Sequence, residues 1–225
     1  MKAMLLAAGR GERLRPLTDQ TPKPLLEVGG RTLIEWQIER LHRAGVREFV
    51  INLAHLGAQI EAFLGDGRRY GARFTFSHEP AGALETGGGI RQALHLFEGA
   101  PFIVANADVW IEFDFTRLPR LDGDLAHLLL VPNPTHHRRG DFALRAGRVA
   151  NDEDSRHTFA GVAVYSPALF EPHAPGRFPL APLLRDAAER GLLGGQLFEG
   201  CWIDVGTPER LQEAQLRVAS LGSGN

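Results

Sequence analysis

The sequence predicts an α/β protein built on a mostly parallel sheet, and three observations carry that expectation. Apolar runs of buried-strand length, Met1–Ala7, Val46–Ala54 and Pro101–Asn106, alternate with stretches of helical periodicity. A segment punctuated by glycine and proline follows the first run directly. An acid, Asp108, follows the third, at the carboxyl end of a strand, where open parallel sheets bind ligands.

The segment after the first run, residues 6–24, reads as a triphosphate-holding loop. Leu6 and Ala7 end the strand, and Ala8, Gly9 and Gly11 remove side chains where backbone must approach a bulky anion. Successive free N–H groups can cradle phosphate there. Arg13, Arg15 and Lys23 add cations, while Pro16, Pro22 and Pro24 deny the loop helix or strand continuity. Lys23 is singled out because Lys2 is the only other lysine among 25 Lys+Arg. A compact ammonium suits a crowded place between two phosphoryl groups better than a planar guanidinium does. A dinucleotide-binding turn is excluded, since position 14 is Leu where that fingerprint needs Gly, and Pro16 follows closely.

Farther along, Thr32–Ala44 has Leu33, Trp36, Ile38 and Leu41 at helical spacing and ends at Gly45. Val46–Ala54 reads as a strand, Leu56–Leu64 as a helix and Arg73–His78 as a strand. In Leu84–Ile90, three glycines precede an expected helix capped by Thr86. They either let a flat base lie against backbone, with Glu85 and Gly88 beside it, or form a flexible connector. Asn106 is placed to bond sugar or phosphate, and Asp108 is either a ligand residue or a turn aspartate.

Leu125–Val131 is another buried strand. The following His136-His137-Arg138-Arg139-Gly140-Asp141-Phe142 lacks the further ligands that zinc would need, leaving an anion-binding segment or a solvated loop. His157–Ser166 returns to strand, with Gly161 open to close approach by a substrate. Leu180–Arg190 is helical, and Gly191, Gly194 and Gly195 are expected to break it before strands in Gln196–Asp204. Thr207-Pro208 starts a last helix. Residues 1–220 are expected to form a single domain and 221–225 a disordered tail.

Gly9-Arg10-Gly11-Glu12-Arg13-Leu14-Arg15-Pro16-Leu17-Thr18 with Pro22-Lys23-Pro24 resembles the signature of the sugar-1-phosphate nucleotidyltransferases, which usually carry Ser or Thr in place of Glu12. Ala107-Asp108 resembles their Gly-Asp, and Trp202-Ile203-Asp204-Val205-Gly206-Thr207-Pro208-Glu209 their late signature. The resemblance implies a Rossmann-like three-layer α/β/α fold with a mixed, mostly parallel sheet, the nucleotide-diphospho-sugar transferase fold. It also implies Mg²⁺ on Asp108 and Asp204, and catalysis by Arg13 and Lys23. Nucleotide contacts would come from Leu6, Ala7, Ala8, Gly9, Gly11, Glu85 and Gly88, and acceptor contacts from Asn106, Arg139, Gly140 and Gly161. Within the family, Glu-Thr-Gly-Gly-Gly and His-His-x-Arg-Gly-Asp-Phe are most like members that pass a uridylyl group from UTP to N-acetylmuramic acid 1-phosphate in peptidoglycan recycling. The alternatives are glucose- or mannose-1-phosphate nucleotidyltransferases, phosphocholine cytidylyltransferase and, outside enzymes, a nucleotide-sensing scaffold subunit. Intact Arg13, Lys23, Asp108 and Asp204 disfavour the last.

A formal net charge of −2 argues against a nucleic-acid surface. The lone Cys201 makes no internal disulfide, and neither a leader nor a membrane-spanning apolar run is evident. The expectation is a cytoplasmic monomer or weak homodimer acting on small molecules.

Overall fold

The apolar runs and periodic stretches become strands and helices close to where the sequence places them, in a computed structural model that describes residues 1–80 and 84–222. The first part of the chain supplies β1 (Ala3–Leu6), α1 (Leu17–Gln20), β2 (Glu27–Val28), β3 (Arg31–Thr32), α2 (Leu33–Arg43), β4 (Glu48–Leu53), α3 (Gly57–Leu64), β5 (Arg73–His78) and α4 (Glu85–Ala93). Then come β6 (Phe102–Asn106), β7 (Val109–Ile111), β8 (Ala126–Val131), β9 (Phe142–Arg145), β10 (Arg148–Ala150) and β11 (Arg156–Tyr165). The chain continues through α5 (Ala181–Glu189), β12 (Leu193–Leu197), β13 (Trp202–Asp204) and α6 (Pro208–Gly222).

Nine strands form one mixed sheet in the order β5-β4-β1-β6-β11-β8-β12-β10-β9. The first four run parallel, and β11 lies antiparallel between β6 and β8. Side chains alternate across it. Ala3 and Leu5 join Phe49 and Ile51 in one core, whereas Met4 joins Val50 and Val104 in the other. Both faces are therefore covered, which is why these strands read as continuous apolar runs.

From β1 the chain goes out through β4 to β5, then returns to place β6 on the other side of β1. This reversal opens a crevice at the carboxyl ends of β1 and β6, whose last residues, Leu6 and Asn106, are register partners. A small pair, β7 with β13, stands beside it and sets Asp204 opposite Val109. Two acids nearly one hundred residues apart in sequence thus meet at the same edge.

Helix α2 is fixed by a capping box. Thr32 Oγ1 accepts from the Glu35 amide at 3.4 Å, and Glu35 Oε2 accepts from the Thr32 amide at 3.1 Å. Several expected features fall elsewhere. Residues 6–24 contain α1 and short 3₁₀ turns at Glu12–Leu14 and Lys23–Leu25, because each proline limits a turn without preventing it. Gly87, Gly88 and Gly89 lie inside α4, whose N-cap is Leu84 and not Thr86. Gly194 and Gly195 are strand residues of β12, where a Cβ on Gly195 would strike Val149 and Leu144. The helix α6 runs through Gly222, past the expected domain end, and residues 223–225 lie outside the described residues. Among the described residues no helix is long and apolar enough to cross a membrane.

Candidate active site

The loop after β1 is anchored from beneath by a buried polar relay. Asn52 Oδ1 accepts from the Ala7 amide at 2.8 Å, and its Nδ2 donates to Glu79 Oε1 at 2.6 Å. Glu79 Oε2 accepts from the Leu84 amide at 2.8 Å, tying the start of α4 to the same relay. Ala7 thus spends its amide on the scaffold, while those of Ala8, Gly9 and Arg10 have no acceptor among the described residues and stay available to an anion. Gly11 has φ +65°, and Thr18 Oγ1 donates to its carbonyl at 2.8 Å. A Cβ there would lie 2.9 Å from the Thr18 methyl and 3.2 Å from Lys23 Cβ, so glycine lets the loop fold back over Lys23.

Lys23 is 7% exposed. Its Nζ lies 2.6 Å from Asp108 Oδ2 and 3.7 Å from Asp204 Oδ1. Burial of an ammonium between two carboxylates is tolerable because both are charged partners within a few ångströms. Asp204 Oδ2 takes a 3.0 Å bond from Arg210 Nη1, and the exposed Arg13 guanidinium stands 3.7 Å away. Gly206 makes room for both arginines, since a Cβ there would sit 2.7 Å from each guanidinium. Arg210 Nη1 also reaches His136 Nε2 at 2.7 Å. Partial burial, and then the Arg210 charge, hold His136 below its ordinary imidazole pKa.

Two acids facing three cations leave the cluster one positive charge in surplus, which suits a triphosphate. The donor set also fits a hard, oxygen-preferring ion. Asp108 and Asp204 converge on one cationic group, remain about one-quarter exposed, and are joined by no third acid or histidine in a cluster able to hold metal, among the described residues. Mg²⁺ characteristically takes one or two carboxylates and completes its shell with phosphate and water.

Two cavities open from the crevice. The smaller, about 230 Å³, is lined by Leu6, Ala8, Gly9, Asn52, Glu79, Glu85, Thr86, Asn106 and Asp108. The larger of the two, about 490 Å³, shares Leu6, Glu85, Thr86 and Asn106 and lies between the sheet and α5, lined also by Asp141, Phe142, Phe159, Gly161 and Leu184. Gly161 has φ +74°, and a Cβ on it would overlap the Asn106 side-chain amide. It sits where β11 shifts register against β8, a bulge that carries the strand around the cavity wall.

The expected residues thus separate. Leu6, Ala8, Gly9, Glu85, Asn106, Asp108 and Gly161 line a cavity, and Arg13, Lys23 and Asp204 border it in the charged cluster. Ala7 and Gly11 shape the loop. Gly88 faces away, with its amide donating to the Phe178 carbonyl at 3.1 Å. A Cβ on Gly88 would overlap the Gly176 carbonyl oxygen, so it is a close-packing glycine and not a platform for a base. Gly88→Ala is expected to lower stability by about the 1–3 kcal/mol of an overpacked core, read as a fall in thermal midpoint. An unchanged or raised midpoint would show that this contact yields freely.

Arg139 is exposed and lines neither cavity. Gly140 is buried with φ +62° beneath the turn. Its neighbour Asp141, absent from the sequence-based set, lines the larger of the two cavities instead, held by His137 Nε2 at 3.0 Å and by the Phe159 amide at 2.8 Å. Asn52, Glu79 and Arg210 were also missed. Asn52, a lone polar residue in the run Ile51-Asn52-Leu53, carried a signal, as did Glu79 just past a strand's carboxyl end.

Residues 2–137 match the family model described as Nucleotidyl transferase. The N-acetylmuramate alpha-1-phosphate uridylyltransferase of Neisseria meningitidis serogroup B is 50% identical over 224 residues, covering 96% of this chain and 97% of that one. The protein of the same name from Caulobacter vibrioides is 34% identical and covers 96% of each chain. In fold, the inositol-1-phosphate CTP transferase of T. maritima aligns with a TM-score of 0.81 at 17% identity, over 96% of this chain and 95% of that one. With its charged cluster and twin cavities at the switch point of a nucleotide-diphospho-sugar transferase fold, the chain belongs to the nucleotidyl transferase family, among the sugar-1-phosphate nucleotidyltransferases.

Proposed function

We propose that the protein transfers the uridylyl group of UTP to N-acetylmuramic acid 1-phosphate, releasing pyrophosphate, in the cytoplasm. The observation that carries nucleotidyl transfer is the buried Lys23 ammonium between Asp108 and Asp204 beside the free amides of residues 8–10. The choice of base and sugar rests on the 50% identity to the Neisseria enzyme across nearly the whole chain.

The two substrates are both polyanions, so the residues chiefly neutralise charge and hold the reacting atoms in line. The Ala8–Arg10 amides and Arg13 take the triphosphate, and Lys23 stands between the α-phosphate and the sugar phosphate. An oxygen of the sugar phosphate, ionised at neutral pH, attacks the α-phosphorus as the bond to the pyrophosphate oxygen breaks. No general base is required. Asp108 and Asp204 would hold Mg²⁺, which supplies Lewis-acid stabilisation of phosphate charge when bound. Asn106 and Gly161, on the lining of the larger cavity, receive the sugar.

A pyrophosphate-release screen crossing four nucleoside triphosphates with a panel of sugar 1-phosphates tests this reading. UTP with N-acetylmuramic acid 1-phosphate is expected to give the highest kcat/KM, and a clear preference for another pair would replace it. Arg139, exposed on the segment that ends in Asp141 and Phe142, is proposed to meet the lactyl carboxylate of that sugar. A charge-assisted bond contributes about 1.5–3 kcal/mol, so Arg139→Ala should cost roughly tenfold to a hundredfold in kcat/KM for the muramyl acceptor relative to N-acetylglucosamine 1-phosphate. Equal losses with both acceptors would move Arg139 to the shared phosphate.

A further inference from the structure

The turn between β8 and β9 is built to hold one carboxylate. Asn133 Nδ2 donates to the carbonyls of Arg138 at 3.1 Å and Arg156 at 2.7 Å, and its Oδ1 accepts from Thr158 Oγ1 at 2.9 Å. Gly140 brings the chain so close beneath this clamp that a Cβ would lie 2.7 Å from Asn133 Oδ1. The Asp141 amide then donates to the His157 carbonyl at 2.8 Å, and Asp141 Oδ2 accepts from the Phe159 amide at 2.8 Å. Phe159 precedes Val162, the antiparallel partner of Ala105, so Asp141 stands past the carboxyl end of β6, the end that carries Asn106 and Asp108. Each carboxylate oxygen has one partner, His137 Nε2 for Oδ1 and the Phe159 amide for Oδ2, and each keeps a further lone pair. The side chain is 35% exposed and lines the larger of the two crevice cavities.

Charge sets that cavity apart from the phosphate cluster. No lysine or arginine is among its described lining residues, and its acids are Glu85 and Asp141. Glu85 Oε1 already accepts from Arg177 Nε at 2.9 Å, whereas Asp141 has no guanidinium or ammonium partner among the described residues. A phosphate or carboxylate brought to Asp141 would meet an uncompensated like charge. A neutral donor would meet an acceptor already fixed in place, and hydrogen bonds to an ionised acceptor are about twice as strong as those between neutral groups. The polarity therefore orients an acceptor, with its phosphate toward Lys23 and Arg13 and its hydroxyls toward Asp141.

We infer that Asp141 is a specificity-determining residue whose carboxylate accepts a hydrogen bond from a free hydroxyl of the acceptor sugar. This rests on the reading of the crevice as the site of N-acetylmuramic acid 1-phosphate. It adds a residue at the sugar end of that site, distinct from the cations that hold the phosphates. The turn divides its work, with Asp141 on the cavity lining and Arg139 exposed outside it.

The test pairs a change in the protein with a change in the sugar. kcat/KM is measured for N-acetylmuramic acid 1-phosphate and for its 4-deoxy and 6-deoxy analogues, with wild type and with Asp141→Asn. Wild type should lose roughly tenfold to a hundredfold on one of the two deoxy acceptors, the cost of a charged group left without its hydrogen bond. Asp141→Asn should lose about as much on the parent sugar and then treat that deoxy acceptor and the parent nearly alike. Its KM for UTP should stay at the wild-type value. Asp141→Ser, a smaller side chain without the carboxylate, should erase the same preference. A purely structural role would lower all three acceptors together and leave the preference for the hydroxyl intact, and that result would overturn the inference. Wild-type indifference to both hydroxyls would overturn it without any variant. A wild-type enzyme inactive on N-acetylmuramic acid 1-phosphate would instead overturn the acceptor reading on which it rests.

Discussion

Asp108→Asn and Asp204→Asn are each expected to reduce turnover on the order of a hundredfold to a thousandfold at saturating Mg²⁺. Both changes keep the side-chain shape and remove one charge from the pair that Lys23 joins. Lewis-acid stabilisation of phosphate charge contributes several kcal/mol, and each 1.36 kcal/mol is tenfold in rate. Triphosphate binding, supported by the loop amides and Arg13, should persist better than turnover, which would separate catalysis from docking. The measurement is pyrophosphate release with thermal midpoints recorded in parallel, because the substitution also leaves a buried ammonium short of a partner. Near-wild-type rates in both variants would contradict a shared metal site.

Lys23→Arg, although it conserves charge, should lose most activity, roughly a hundredfold in kcat/KM. The ammonium fits a place that is 7% exposed, with Asp108 at 2.6 Å and the Gly11 backbone folded against its stem. A guanidinium is wider, planar and directional, and cannot occupy that point without displacing a carboxylate or the loop. Lys2→Arg is the control. Lys2 pairs with Glu98 at 2.9 Å at the far end of β1, where an arginine is readily accommodated. Equal kcat/KM for Lys23→Arg and wild type would return Lys23 to the role of an ordinary structural cation.

What was legible in the sequence was whatever depends on local pattern. Buried strands such as Phe102–Asn106 announce themselves as apolar runs, and the bias toward arginine made Lys23 visible before its burial was known. The carboxyl-end rule likewise found Asp108. What was not legible depends on partners distant in sequence. Gly87–Gly89 resembled a turn because glycine is a turn former. The cause at Gly87 and Gly88 is the close approach of Phe178 and Gly176 to α4, and at Gly89 the Asn52–Glu79 pair beneath the helix, all invisible without the fold. The β9–β10 hairpin closes the far edge of the sheet through pairing with β12 and β11, which no periodicity in so short a stretch reveals. In His136–Phe142 the arginines drew attention, whereas the turn at Gly140 directs Asp141 to the cavity and leaves Arg139 exposed. Arg210 escaped because its partner, Asp204, was read as a metal ligand alone.

The central claim is that a nucleotidyl group, and not a terminal phosphoryl group, moves to the acceptor. The fate of label from UTP tests it most directly, with the protein, Mg²⁺ and N-acetylmuramic acid 1-phosphate present. Phosphorus-32 in the α-position should appear in the nucleotide sugar, and phosphorus-32 in the γ-position should leave in pyrophosphate, one for one. Label from the γ-position on the sugar, or released as free orthophosphate without nucleotide sugar, would contradict the account.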